Sequence, residues 1–327
     1  MSLNRRAFLY ATSAFSLAAF AGGARAASPS ADTRLVVADQ SELNKNLLEA
    51  SNEIKSLGFK LEQPNFAGGP AILEAIRAGA LDAAYVGDVP PIQARASGTL
   101  LPIVATVTRE RAQYILTSRP GLVINHLSEL KGRKLSYVEG SGRQVFLIEA
   151  LNRGGVKLDE VELVPLRVAD LPDAIRSGAV DVAVLQEPHV TRLRNQIGAS
   201  QVLDPEERRL LPSTSYIYAR PEALADPQKS AALGEYISAW IRAGNWSNAN
   251  PDAWGEFYFT KFQGISAEDT RVILDAQSPL IFQTSTEAIP HHQKLVDILY
   301  QAGALEEPFD AAGSFTDAFD SIITSSR

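Results

Sequence analysis

Hydrophobic and polar positions along this chain fall into short blocks whose period switches between two and about 3.6. Residues 34–38, RLVVA, form a β-branched run that ends in the polar stretch Asp39-Gln40-Ser41. A helical pattern follows from about Asn44 to Leu57 and closes at Gly58, a residue suited to a helix C-terminus. FKLEQPNF (59–66) alternates as a strand, Gly68-Gly69-Pro70 breaks it, AILEAIRAG (71–79) is helical again and ALDAAYV (80–86) is the next strand. Alternation at this spacing predicts an α/β fold with parallel sheets and helices on both faces. Further on, KLSYV (134–138) reads as a strand, Gly140-Ser141-Gly142 as a loop, and the residues from about Gln144 as a helix. From about 221 to 327 the pattern is mostly helical, and the aromatics there, among them Trp240, Trp246, Trp254, Tyr258 and Phe259, are spaced as core rather than as a ligand stack.

An internal match adds to this picture. AIRAGALDAAYV (75–86) and AIRSGAVDVAVL (174–185) are identical at seven of twelve positions, at an offset of 99. In both, a helix ends at glycine, an aspartate follows, and a buried strand runs into an acid-then-proline loop: Gly87-Asp88-Val89-Pro90 and Gln186-Glu187-Pro188-His189. Such a match is either a common turn idiom or the mark of two similar lobes, each with a loop at the carboxyl end of a strand. In open α/β sheets that edge is where ligands bind. Pro90 and Pro91 forbid the strand before them to continue, so a rigid loop is expected there. Asp88 then either accepts backbone N–H groups and holds that loop, or meets the ligand. At Ser141-Gly142-Arg143 the glycines permit close backbone approach, the helix N-terminus offers free N–H groups, and Arg143 adds a full charge.

Composition narrows the chemistry. The first 26 residues open with Arg5-Arg6 before an Ala-rich apolar run and end in Ala24-Arg25-Ala26, the marks of a twin-arginine export signal cleaved after about Ala26. Without it the 31 basic residues fall to 28 against 38 acidic, a net charge near −10, which argues against nucleic acid as a partner. There is no cysteine, hence no disulfide, thiolate nucleophile or thiolate metal site. The four histidines are His126, His189, His291 and His292, in no metal-ligand spacing, and no phosphate loop, nucleophile elbow or dinucleotide fingerprint occurs. Neither metal nor cofactor is expected, and no catalytic set can be assembled.

Three segments together, 66–98, 127–161 and 170–190, resemble the periplasmic solute-binding proteins of ABC importers, in the branch of aliphatic sulfonate, taurine and nitrate binders. The resemblance covers about Leu35 to Arg220. It implies a two-lobed periplasmic binding protein fold (type II), each lobe a mainly parallel sheet flanked by helices, with the ligand cleft between lobes. Lobe 1 is expected over 27–118 plus 213–327 and lobe 2 over 119–212. By position, the ligand loops of the family correspond to Gln40 and Ser41, Gly68, Gly69 and Pro70, Gly87 and Asp88, Ser141, Gly142 and Arg143, and Glu187. The implied function is capture of a small organic anion, an alkane- or arylsulfonate, by a monomeric periplasmic protein that delivers it to a membrane permease and its ATPase. Nitrate, taurine, a sulfate ester or a thiamine-precursor-like heterocycle are alternative ligands. Desulfinase-like enzymes resemble the same family, but they rely on a cysteine. Where sulfonate binders carry aromatics beside the acid and proline, this chain has Gln186 and His189.

Overall fold

The computed structural model describes residues 28–327, so the export signal expected over 1–26 lies outside the described residues. The chain first lays down β1 (Arg34–Gln40), α1 (Leu43–Ala50), β2 (Lys60–Glu62), β3 (Asn65–Phe66), α2 (Gly69–Arg77), β4 (Ala83–Gly87), α3 (Pro90–Ala96) and β5 (Ile103–Arg109). It then crosses to a second sheet through β6 (Ile115–Ser118), β7 (Lys134–Tyr137), α4 (Gly142–Arg153), β8 (Glu162–Pro165), α5 (Leu171–Ser177), β9 (Val182–Leu185), α6 (His189–Ile197) and β10 (Ser200–Gln201). The return strand is β11 (Ser213–Ala219), followed by α7 (Pro221–Ala225), α8 (Pro227–Ala249), α9 (Pro251–Gly255), a π-helical turn at Glu256–Phe262, α10 (Ala267–Ala276), β12 (Ile281–Gln283), α11 (Ser285–Gln301) and α12 (Asp320–Ser326).

Strand order is β12-β5-β11-β4-β1-β2 in the first sheet, with β3 also paired to β1, and β10-β6-β9-β7-β8 in the second. Ile115–Ser118 falls inside the span expected for lobe 1, yet it pairs with β9 in the second sheet. Sheet membership therefore changes between Arg109 and Ile115, ahead of the expected division at 118/119, and changes back between Gln201 and Ser213.

Both sheets are mainly parallel, as expected, and each admits reversed strands: β11 and β12 oppose the others in the first sheet, and β6 opposes the others in the second. β1, β2 and β4 run parallel, whereas β11 is antiparallel to both β4 and β5. In the second sheet β7, β8 and β9 are parallel and β6 opposes β9 and β10. The reason is connectivity. β6 and β11 are the strands by which the chain arrives from the other sheet, and each runs away from the junction that the parallel strands run towards.

The internal match marks equivalent corners. Asp82 accepts the Val36 N–H with its carboxylate (3.0 Å) and Asp181 accepts that of Lys134 (3.1 Å), each pinning its own strand to the neighbour. The residue after the reversed strand completes each corner: Arg220 N donates to Asp82 O (2.9 Å) and Arg119 N to Asp181 O (3.0 Å). Each guanidinium also pairs with the same carboxylate, at 3.7 and 2.9 Å.

β1 explains its own composition. Leu35 and Val37 face the core built with α8, while Val36 and Ala38 face the core built with α2, so both faces of the strand are apolar. The helix expected to Leu57 stops at Ala50, because Asn52 turns left-handed (φ 63°) and a short 3-10 turn, Glu53–Ser56, takes over. Pro90 and Pro91 form the first turn of α3, where a missing N–H costs nothing, rather than an irregular loop.

Glu207, beside β6, is 2% exposed, and its Oε1 accepts the Leu116 N–H at 2.5 Å. Burial pushes its carboxyl up to about 8. The folded state thus holds this proton more tightly than the unfolded chain, so the stabilisation is full below the ordinary carboxylate range and is lost as pH rises towards 8. Glu207→Gln keeps the acceptor and removes the ionisation. We expect a higher melting temperature than wild type at pH 9, by about 2 kcal/mol of stability, and near-equality at pH 4. Parallel melting curves across that range check it.

Candidate functional site

The strand ends that carry the polar turns point at one another across the junction of the sheets. Between them lies a cavity of about 270 Å³. Of the eleven positions expected to contact a ligand, ten line it: Gln40, Ser41, Gly68, Gly69, Pro70, Gly87, Ser141, Gly142, Arg143 and Glu187.

Asp88 is the exception. It is 4% exposed and lies behind the wall. Its Oδ2 stands 3.8 Å from His291 Nε2, its Oδ1 has no hydrogen-bond partner, and α3 begins without a side-chain cap. Neither role expected of it, loop cap or cavity contact, is visible. The capping acid is Glu187 instead, whose Oε2 accepts the Thr191 N–H in the first turn of α6 (3.0 Å). Burial raises the Glu187 carboxyl above its ordinary value, opposed by that hydrogen bond.

The second-lobe wall is the start of α4. Ser141 Oγ accepts the Arg143 N–H (3.2 Å) and donates to Val138 O (2.7 Å), which fixes the entry turn. The Arg143 guanidinium lies over the Tyr114 ring at 5.2 Å and donates from Nη2 to Gln186 Oε1 at 2.5 Å. Its Nε is buried without a partner, and no carboxylate among the described residues forms an ion pair with it. Burial holds its pKa below the usual arginine value, yet an arginine stays cationic at any working pH. A charged fork with an unsatisfied donor beside a helix N-terminus is built to receive anionic oxygens.

Gly142 is there for closeness. A Cβ at this position would lie 2.5 Å from Asp88 Oδ1 and 2.6 Å from the Tyr114 hydroxyl. On the first-lobe side, Ser41 and Glu42 both adopt left-handed backbone (φ 57° and 50°), a conformation that costs free energy in residues with side chains. The turn is held by Asp39, which accepts the Gln40 and Lys45 N–H groups (2.8 and 2.9 Å), and by the Tyr258 hydroxyl donating to Ser41 O (3.1 Å). Burial raises the Asp39 carboxyl to about 6.

The cavity also has walls that no local motif announced. Arg109, Arg111 and Arg208 line it, but they donate to backbone carbonyls at the end of α10: Arg109 to Ser278, Arg111 to Asp275 (3.0 Å) and Arg208 to Ala276 (3.1 Å). They complement the negative end of that helix; like Arg143 they form no ion pair among the described residues, and what sets Arg143 apart from them is its buried Nε without a partner. Tyr85, Tyr114 and Gln186 add polar groups, and Trp240, Trp254, Tyr258 and Phe259 add aromatic surface. The aromatics are core, as their spacing implies, and their inner faces are cavity wall as well. Their sites are scattered over the sequence, and only the fold assembles them.

The family described as NMT1/THI5 like matches residues 57–253, well over half of the chain. The chain belongs to this family. Among curated relatives of this NMT1/THI5-like chain, a protein of Escherichia coli (strain K12) provisionally named an aliphatic sulfonates-binding protein is 26% identical over 244 residues, 74% of this chain and 75% of the other. Among solved structures, the alkanesulfonate-binding protein SsuA from Xanthomonas axonopodis pv. citri, bound to MOPS, superposes with a TM-score of 0.76 at 18% identity, over 89% of this chain and 99% of that one. The desulfurization enzyme DszB, as a mutant in complex with biphenyl-2-sulfinic acid, has a TM-score of 0.63 at 17% identity, over 90% and 99%. The fold of this NMT1/THI5-like chain is thus the periplasmic binding protein fold, two α/β sheets with helices about them.

Proposed function

We propose that this protein is the exported solute-binding component of an ABC importer and that it captures a small organic anion, an alkane- or arylsulfonate, by closing its two lobes around it. The observation that carries the reading is Arg143, a buried cation with a free donor at the N-terminus of α4, set in a cavity lined by turns from both lobes. Membership of a family with sulfonate-binding relatives supports it. The lobes meet in two ways: Arg194 and Asn195 of α6 each bond Asp269 of α10 at 2.7 Å, and Val145 and Ile148 of α4 pack with Val89, Ile92, Leu295 and Leu299 of the first lobe in one buried apolar cluster. Export by the amino-terminal signal would bring the protein to its ligand, and a permease with its ATPase would receive the cargo. It would act as a monomer.

The likeness to DszB makes an enzyme the second reading. The present chain has no cysteine to act as nucleophile. Thermal melting in the presence of sulfonates, sulfate esters, nitrate and pyrimidines tests the function. Ligand at a hundred times its Kd stabilises the native state by about 2.7 kcal/mol, a shift of a few degrees. Sulfonates are expected to give it. A shift from pyrimidines or nitrate alone would overturn the sulfonate reading.

A further inference from the structure

The cavity does not end at the polar turns. It continues into the first lobe beneath the C-terminal helices, where Leu47, Trp240, Trp254, Tyr258, Phe259 and Leu280 form its wall. Trp254 and Tyr258 lie face to face, centroids 4.9 Å apart at 10°, and Trp240 turns an edge to Tyr85 at 6.0 Å. Tyr258 and Phe259 sit in the π-helical turn Glu256–Phe262, a winding that is rare and tends to occur at functional sites. Short polar anions have nothing to do with such surface. An apolar end left unfilled forfeits contacts on every side.

This end also carries a polar group with unmet capacity. Asn44 is 1% exposed, and its Oδ1 accepts the Trp240 indole N–H at 2.9 Å. That bond fixes the amide orientation, because the reversed amide would set two donors against each other. Asn44 Nδ2 is then a buried donor with no protein partner. Buried donors without partners are costly, so this one calls for an acceptor.

We propose that the ligand is an aryl anion. Its acid group lies against Ser141–Arg143, its ring among the aromatic side chains of the first lobe, and an acceptor on the far side of the ring meets Asn44. This rests on the anion-binding reading above and narrows its ligand to one class. A cavity of about 270 Å³ is below the ~300–1,000 Å³ of pockets for drug-sized ligands, which suits one or two fused rings. An aromatic ring also brings edge and face contacts that an alkyl tail lacks.

Calorimetric titration of the protein with ethanesulfonate, benzenesulfonate and 4-nitrobenzenesulfonate tests the inference. We expect benzenesulfonate to bind at least tenfold tighter than ethanesulfonate, and the nitro compound severalfold tighter still. Phe259→Leu, which keeps an apolar core residue, is expected to weaken benzenesulfonate at least fivefold and ethanesulfonate less than twofold. Equal affinity for ethanesulfonate and benzenesulfonate, or equal losses of both in the variant, overturns the aryl inference and leaves the anion site standing. No gain from the nitro group overturns the role given to Asn44. Failure of all three sulfonates to bind overturns the anion reading itself.

Discussion

Gly142→Ala is expected to weaken sulfonate binding about tenfold and to lower the melting temperature of the ligand-free protein by a few degrees. The added methyl carbon would stand 2.5 Å from Asp88 Oδ1 and 2.6 and 2.9 Å from the Tyr114 hydroxyl and ring. Asp88 follows the first-lobe strand β4 and Gly142 opens the second-lobe helix α4, so that collision opposes the approach of one lobe to the other, whereas Tyr114 packs with Phe146 in the second lobe's own core and is met in the ligand-free protein too. Forced overpacking typically costs about 1–3 kcal/mol; the part against Tyr114 falls on both forms, and the part against Asp88, met as the lobes approach, corresponds to the stated loss of affinity. Backbone strain does not enter, since the Gly142 φ lies outside the left-handed region. Calorimetry and thermal melting on the same preparation separate the outcomes. A large fall in ligand-free stability with unchanged affinity would mean that the contact is a fixed part of the fold and not of closure.

Arg143→Ala is expected to lower affinity for the same anions by at least tenfold, with little change in ligand-free stability. A hydrogen bond to a charged group contributes about 1.5–3 kcal/mol, and more is lost when an anion in the closed site is left without its cation. Little is lost in the empty protein, because Arg143 has no ion-pair partner among the described residues and its guanidinium bonds only to Gln186. Arg143→Lys separates charge from geometry. It retains the positive charge but not the planar fork, so its affinity should fall between the two. Wild-type affinity in the alanine variant, measured by calorimetry, would remove Arg143 from the site.

Local sequence carried much of this. The stop at Gly87 was legible because a buried strand cannot run into two prolines, and the anion-facing turn was legible because Gly140, Ser141 and Gly142 stand between a strand and a helix. What escaped has a common cause. Asp88 sits behind the cavity and not in it because α4 arrives from the other lobe and Gly142 takes the space in front. The reversed directions of β6 and β11 follow from how the chain crosses between sheets, which no alternation of apolar residues records. Arg109, Arg111 and Arg208 carry no local mark of a site, and only the fold brings them to the cavity wall beside the end of α10. The aromatics of α8, α9 and the π-helical turn were legible as core, but a core residue with one face on a void has the same periodicity as one without.

The position of β11 has a consequence for synthesis. It lies between β4 and β5, in the middle of the first sheet, although about a hundred residues of second-lobe chain precede it. A ribosome that has made everything through β10 has therefore released all strands of the second sheet but not the one that joins the halves of the first. The later-encoded lobe is free to fold first, and the amino-terminal segment must wait, its apolar strand edges unpaired and open to chaperones or to aggregation, until the carboxyl-terminal third emerges.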